Sequence, residues 1–214
     1  MDHSVLSKAI VRSQHCQRNW DLSKSIPQED LNLLVHAVTQ CPSKQNIAFY
    51  KAHFITDRAT IEQIHEFTRH ASRSKKYETE TNSQILANLV IVFEKNNYVP
   101  VLFNDIYRNE ETKAIMDNTA SASQLDTLRR DTEMAVGIAA GYVNLTASMM
   151  EYSTGCCACF DGAAIQTLLG MENEPVLLMG VGFKNPDMNR RVHHQLPDFV
   201  FSTKVKQPIP VTFK

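Results

Sequence analysis

The sequence predicts an α+β fold: a central mixed or antiparallel sheet flanked by helices, with one long central helix suited to a dimer contact. Three observations carry this. Residues 88–94 (NLVIVFE) form a continuous, β-branched apolar run, the mark of a central strand buried on both faces. Residues 134–143 (MAVGIAAGYV) are apolar nearly all the way round a helical pattern, so that helix must be covered on every side. Strands and helices also alternate irregularly rather than as repeated βαβ units, which favours α+β.

Taken in order, residues 3–13 predict a short helix with Val5, Leu6, Ala9 and Ile10 on one face. A second helix follows Pro27, where Glu29 and Asp30 suit a helix N-terminus and Leu31, Leu33, Leu34, Ala37 and Val38 make its apolar stripe. Cys41-Pro42 stops it. Residues 47–56 read as a strand, 57–70 as a helix, and 72–77 as an exposed basic turn. Between 97 and 117 the pattern weakens into helical pieces. The long helix is expected over 123–152, about 45 Å at 1.5 Å per residue, and its simplest cover is the same helix of a second subunit. A Cys-rich strand or loop (153–160), a short helix (161–169), the strand PVLLMGVGF and a Pro-containing extended arm complete one domain spanning 1–214.

Composition narrows the function. The 214 residues carry a net charge of −1, with 43% hydrophobic and 21% charged residues, as in ordinary folded domains. No basic excess gathers for nucleic acid, and the longest apolar run is far too short to span a bilayer. The N-terminus does not read as a signal peptide, so a cytoplasmic location is expected. Five cysteines at 16, 41, 156, 157 and 159 do not form a disulfide framework. The Cys156-Cys157-Ala158-Cys159 cluster lacks the second ligand pair of a structural zinc site, so free and mostly buried thiols are expected, with no metal.

Three segments could carry chemistry. Residues 12–20 place Arg12 and Arg18 between a helix end and Trp20, and forked guanidinium donors suit a phosphate. Residues 42–46 (PSKQN) make a polar turn fit for the edge of a heteroaromatic ring. Arg190 and Arg191, before His193 and His194, could complete a phosphate site. Read alone, the first two are ordinary polar turns and the third a basic surface loop. Neither a G-x-G-x-x-G, a phosphate-loop motif nor a G-x-S-x-G elbow occurs, which weakens dehydrogenase, kinase and hydrolase readings.

Taken together and in order, these segments resemble the FMN-dependent nitroreductase family from about residue 9 to residue 191. The family opens with R-x-S-x-[RK]-x-F, and residues 14–20 fall in that frame. Arg18 and Trp20 match; Gln14 and Cys16 depart, leaving Arg12 or His15 as substitutes for the missing cation. Its P-S-S-x-N-x-Q-P-W turn reads here as residues 42–50, where Pro42, Ser43 and Asn46 match and Lys44, Ala48 and Phe49 do not. Asn82 and Gln84 look like the polar residues that the family points at the flavin pyrimidine. GCCACFDGAAIQTLLGMENEPVLLMGVGF follows the family's closing pattern, which sets Cys156, Cys157, Ala158 and Cys159 against the flavin ring through their backbone. Arg190 or Arg191 takes the C-terminal phosphate position.

The resemblance implies a nitroreductase-like fold, an obligate homodimer, FMN as cofactor and NADH or NADPH as reductant. Hydride would pass through the flavin to a small electron-poor acceptor such as a nitroaromatic or quinone, with no side chain as catalytic acid or base. The departures at Gln14, Cys16, Lys44 and Ala48 leave room for a specialised relative that dehalogenates, desaturates or fragments the flavin. A flavin-binding storage or sensing module, without turnover, is the alternative from another class.

Overall fold

The computed structural model describes residues 3–68, 82–96, 121–202 and 205–213. The expected basic turn at 72–77 and the weakly patterned stretch at 97–117 lie outside the described residues. Elements follow in the order α1 (His3–Ser13), α2 (Gln28–Gln40), β1 (Tyr50–Ile55), α3 (Arg58–Glu66), β2 (Leu89–Lys95), α4 (Ala122–Met149), β3 (Ser153–Cys157), α5 (Gly162–Leu169) and β4 (Pro175–Gly182). Short 3-10 turns occupy Lys44–Asn46 and Ser83–Ile85.

The four strands form one sheet in the order β1-β2-β4-β3, and every ladder between them is antiparallel. Of the two sheet types expected, the antiparallel one holds. A parallel bridge between Cys16 and Thr154 joins it from outside the named strands. β2 sits in the middle because both of its faces are apolar. Leu89, Ile91 and Phe93 join α2 and α4 in one core, while Val90 and Val92 join Ile61, Ile64 and Ile165 of α3 and α5 in the other. The result is three layers, helix–sheet–helix.

Helix boundaries follow local chemistry. Asp57 caps α3 by accepting the Thr60 N–H at 2.8 Å, and Asp161 caps α5 through the Ala164 N–H at 3.0 Å. Gly170, at φ 62°, closes α5 in the left-handed region. α4 ends at Met149, slightly before the expected Tyr152, because Glu151 turns left-handed at φ 68°. No helix among the described residues is long and apolar enough to cross a membrane.

α4 is covered on one side only. Val136, Ala139, Ala140, Val143 and Ala147 are buried against the sheet and α2, whereas Met134, Ile138, Tyr142 and Met149 remain exposed. Gly137 and Gly141 lie on that uncovered side, and a Cβ on either would meet nothing within 4 Å. Within one chain the expected all-round burial is thus half achieved.

At the β1 end of the sheet, Glu94 is buried (1% exposed) yet fully partnered. Its Oε2 meets His53 Nε2 at 2.7 Å and its Oε1 accepts the Asn173 N–H at 2.8 Å. Burial pushes this carboxyl up, but the His53 bond, the Asn173 N–H and the Lys51 charge together hold it below the ordinary carboxylate value. Its contribution is therefore complete above the unfolded pKa of about 4.3 and is lost as pH falls through the lower folded value. Glu94→Gln should lower unfolding stability at pH 7 by about 1.5–3 kcal/mol, as expected for losing charged hydrogen bonds. Urea titrations across pH should show that deficit closing in acid; a deficit independent of pH would refute the account.

Candidate functional site

The site begins with residues 16–20, laid along the outer edge of β3. Gln17 N–H donates to Thr154 O at 2.8 Å, and Asp21 N–H donates to Phe183 O at 2.9 Å. Trp20 anchors the segment: it is 1% exposed, and its Nε1 donates to Ser83 O at 2.9 Å. Such close approach requires Gly155. A Cβ there would stand 2.6 Å from the Gln84 Cβ and 2.8 Å from the Gln17 carbonyl oxygen.

Asn19, fully buried, ties this segment to the C-terminal part of the chain. Its Nδ2 donates to the carbonyls of Asn189, at 2.7 Å, and Val192. The tie brings Arg190 to the N-terminal segment. Burial pushes the Cys16 thiol up, against the opposing charges of Arg18 and Arg190 and the Cys156 N–H. Burial and then Arg190 hold the neighbouring His15 below its ordinary value. Two guanidinium groups, Arg18 and Arg190, thus set their charge on Cys16 beside β3, and Arg190 acts on His15 as well. Arg191, one residue on, accepts Phe201 N–H at its carbonyl, at 2.7 Å.

Gln84 Nε2 donates to Cys156 O at 3.2 Å and Asn82 Nδ2 donates to Cys159 O at 3.0 Å. The Gln84 Oε1 is buried and accepts no hydrogen bond among the described residues. Cys156 and Cys159 are exposed, Cys16 and Cys41 half-buried, and only Cys157 is buried. The expectation of mostly buried thiols is therefore corrected. Cys156 points to the face of β3 opposite Cys157, and Cys159 lies beyond the end of the strand. Desolvation raises the thiols of Cys156 and Cys157 to about 11, which keeps both protonated at neutral pH.

Other expected site residues lie elsewhere in the chain. Arg12 donates from Nη1 to Ser148 O at 3.2 Å at the end of α4, and His15 is the group that stands beside Arg190. Gln14 is exposed next to it. The turn of Pro42, Ser43, Lys44 and Asn46 enters β1, the opposite edge of the sheet, about 14 Å from β3 by strand spacing. There Lys44 Nζ pairs with Asp131 on α4 at 2.6 Å, and Ser43 Oγ donates to Ile47 O at 2.7 Å. The N-terminal segment instead meets α4 at Asn144, whose Nδ2 donates to Ser13 O at 2.8 Å. From Asp131 to Asn144 is roughly 20 Å along the helix axis. The two groups of expected site residues are therefore well separated along α4.

The surface reading of His193 is also corrected. The ring is 1% exposed, because Phe199 and Phe201 fold back over it. Among the described residues no three His, Cys, Asp or Glu side chains converge as metal ligands.

Residues 11–183 match the model of the Nitroreductase family. The chain belongs to that family. Among curated proteins no sequence match is found. Among solved structures, a Bacillus subtilis protein provisionally assigned as the nitroreductase ydfN superposes with a TM-score of 0.68 at 16% identity, covering 99% of this chain and 100% of the other. A Staphylococcus epidermidis protein provisionally assigned as an NAD(P)H:FMN oxidoreductase gives 0.62 at 15% identity, covering 95% and 92%. A third, from Exiguobacterium sibiricum and solved with FMN, gives 0.60 at 19% identity, covering 84% and 90%. At these identities the likeness establishes the nitroreductase fold.

Sequence reasoning missed Asn19, Gly155 and Phe201. Asn19 stood inside the segment singled out, but only its long-range bonds reveal its use. Gly155 opened the Cys-rich stretch, and a glycine inside a strand signals close backbone approach. Gly155→Ala should lower stability by about 1–3 kcal/mol, the usual cost of overpacking, since a backbone carbonyl must move. Urea denaturation of the variant checks this; wild-type stability would show that residues 16–20 do not depend on the close contact.

Proposed function

We propose that this chain is an FMN-dependent oxidoreductase that passes hydride from NADH or NADPH to a small electron-poor acceptor, of the nitroaromatic or quinone kind. The observation that carries the reading is the edge of β3. There Arg18 and Arg190 set their charge on Cys16, and Arg190 on His15, next to the exposed Cys156 and to the Gln84 Oε1, which has no hydrogen-bond partner among the described residues, in a chain of the Nitroreductase family. The donor chemistry fits FMN. Guanidinium groups and a histidine suit its phosphate, and a buried amide oxygen without a donor suits an N–H of the flavin pyrimidine. Relatives in fold are described as an NAD(P)H:FMN oxidoreductase and as a nitroreductase bound to FMN, which supports carrying both to this chain.

When bound, the flavin would supply the redox chemistry, accepting hydride and delivering it to the second substrate. The chain supplies position and charge. Arg18 and Arg190 would hold its phosphate, and Asn82 and Gln84 fix the backbone of Cys156 and Cys159 that would face it. No side chain is assigned as acid or base. The five free thiols suit a reducing, cytoplasmic setting.

A homodimer would complete the site. Met134, Ile138, Tyr142 and the two open glycines make an apolar face on α4 with room for a close helix. A two-fold contact is isologous, so α4 would cross its own copy. If the helices cross antiparallel near Gly137 and Ile138, midway between Asp131 and Asn144, the Lys44 turn of one chain reaches the Arg18 half-site of the other.

Purified protein should show flavin absorbance near one FMN per chain, a dimeric mass, and NAD(P)H oxidation with an electron-poor acceptor. A colourless protein that ignores added FMN sinks the reading, whereas bound FMN without turnover would favour the storage or sensing module. Phosphate beside His15 should raise the imidazole pKa, so NMR titration should find it higher with FMN than without; an unchanged value would place the phosphate elsewhere. Gly141→Leu, which meets open space in the single chain, should leave the fold intact and convert the dimer to monomer by light scattering. Retention of the dimer would remove this helix face from the interface.

A further inference from the structure

Residues 189–201 form a small hairpin of their own. Val192 and Val200 pair across it, His193 N–H donates to Phe199 O at 2.9 Å, and Phe201 N–H donates to Arg191 O at 2.7 Å. Three rings fill its inside. His193 stacks on Phe201 with centroids 5.8 Å apart and planes 17° apart, and Phe199 meets Phe201 edge-on at 4.8 Å. The His193 ring is itself fixed, because its Nδ1 accepts the N–H groups of Gln195 and Leu196 at 3.1 and 3.0 Å. Phe201 is thus held from the backbone and from two neighbouring rings.

Against this ring lies the Arg18 guanidinium, with Cζ 4.3 Å from the ring centroid. Among the described residues Arg18 has no carboxylate partner, and its buried Nε meets no acceptor. The difference between a ring and a carboxylate matters here. A carboxylate would occupy the guanidinium fork and cancel its charge. A ring face holds the plane of the group while leaving the in-plane N–H donors free.

We infer that Phe201 is a positioning residue, a platform that orients Arg18 for a phosphate, and that the hairpin joins Arg18 and Arg190 into one anion-binding unit. Asn19 supplies the joint, since it bonds both Asn189 and Val192 on the hairpin and directly follows Arg18. The inference rests on the flavin reading above and deepens it: the platform favours FMN over flavins without a phosphate. Phe201 acts only through Arg18, and so its loss should be felt only by ligands that Arg18 holds.

The test is titration of the full chain, freed of bound flavin, with FMN and with riboflavin, which lacks the phosphate, read by flavin fluorescence. Phe201→Leu keeps the apolar bulk and removes the ring, and should weaken FMN binding by roughly five- to tenfold, the range of a partly desolvated cation–π contact. Riboflavin binding should be unchanged, and Phe201→Tyr should restore FMN affinity. In an Arg18→Met background, Phe201→Leu should add no further loss. Equal weakening of both flavins, full FMN affinity in Phe201→Leu, or an additive loss beside Arg18→Met would each overturn the inference. A wild-type chain that binds neither flavin sinks the flavin reading and this inference with it. Wild-type FMN binding that Phe201→Leu leaves untouched sinks this inference alone.

Discussion

The site depends on residues 16–20 lying flat against β3. An edge strand offers unpaired backbone groups, and here the N-terminal segment takes them: Gln17 bonds to Thr154 while Trp20 fills a buried slot over Leu86 and Ala87. Contact at that distance is possible only because Gly155 has no side chain. Once the segment is fixed, the rest follows from chain connectivity. Cys16 and Arg18 point their chemistry at the edge, and Asn19 captures the carbonyls of Asn189 and Val192, which carries Arg190 to the same place.

α4 organises the other axis of the molecule. One side of the helix closes the core over β2 and β4, and the opposite side is apolar and open. Along its length it also separates two groups of expected site residues, with Lys44 bound near its start and residues 9–13 bound near its end. Asn144 and Ser148 take the carbonyls of Ser13 and Ala9, so α1 is seated directly on α4 before the chain turns onto β3. The helix with the open apolar side is therefore the same one that seats the N-terminal segment.

How much of this the sequence disclosed depended on range. β2, β4, α2 and α4 were legible because their signals are local: a β-branched run, a periodic stripe, a capping position. The fold class followed from them, and Trp20 was rightly read as an anchor. The hairpin at 189–201 was not legible, since its order comes from Asn19, far away in sequence, and its residues show no period of their own. His193 looked like a surface residue for that reason; two phenylalanines that bury it can be placed only after the chain has folded back. Arg12 illustrates the converse. Its charge suited a phosphate, but at the end of a helix seated on α4 the nearer acceptor is the carbonyl of Ser148.

The thiol cluster can now be weighed against its setting. Three cysteines within four residues invite a reading in terms of sulfur chemistry, yet the surroundings argue otherwise. Guanidinium groups beside a thiol ordinarily favour the thiolate. At Cys16 burial outweighs them and the thiol is raised, while Cys156 and Cys157, raised chiefly by desolvation, reach about 11. What the segment Gly155-Cys156-Cys157-Ala158-Cys159 shares is small size. Small side chains on an edge strand let a flat ligand approach the backbone itself, where N–H groups can bond its rim. The amides of Asn82 and Gln84, which bond the carbonyls of Cys159 and Cys156, hold that backbone in place from behind. Cysteine at these positions is compact and, when protonated, apolar, so the main chain of the segment stays open to approach.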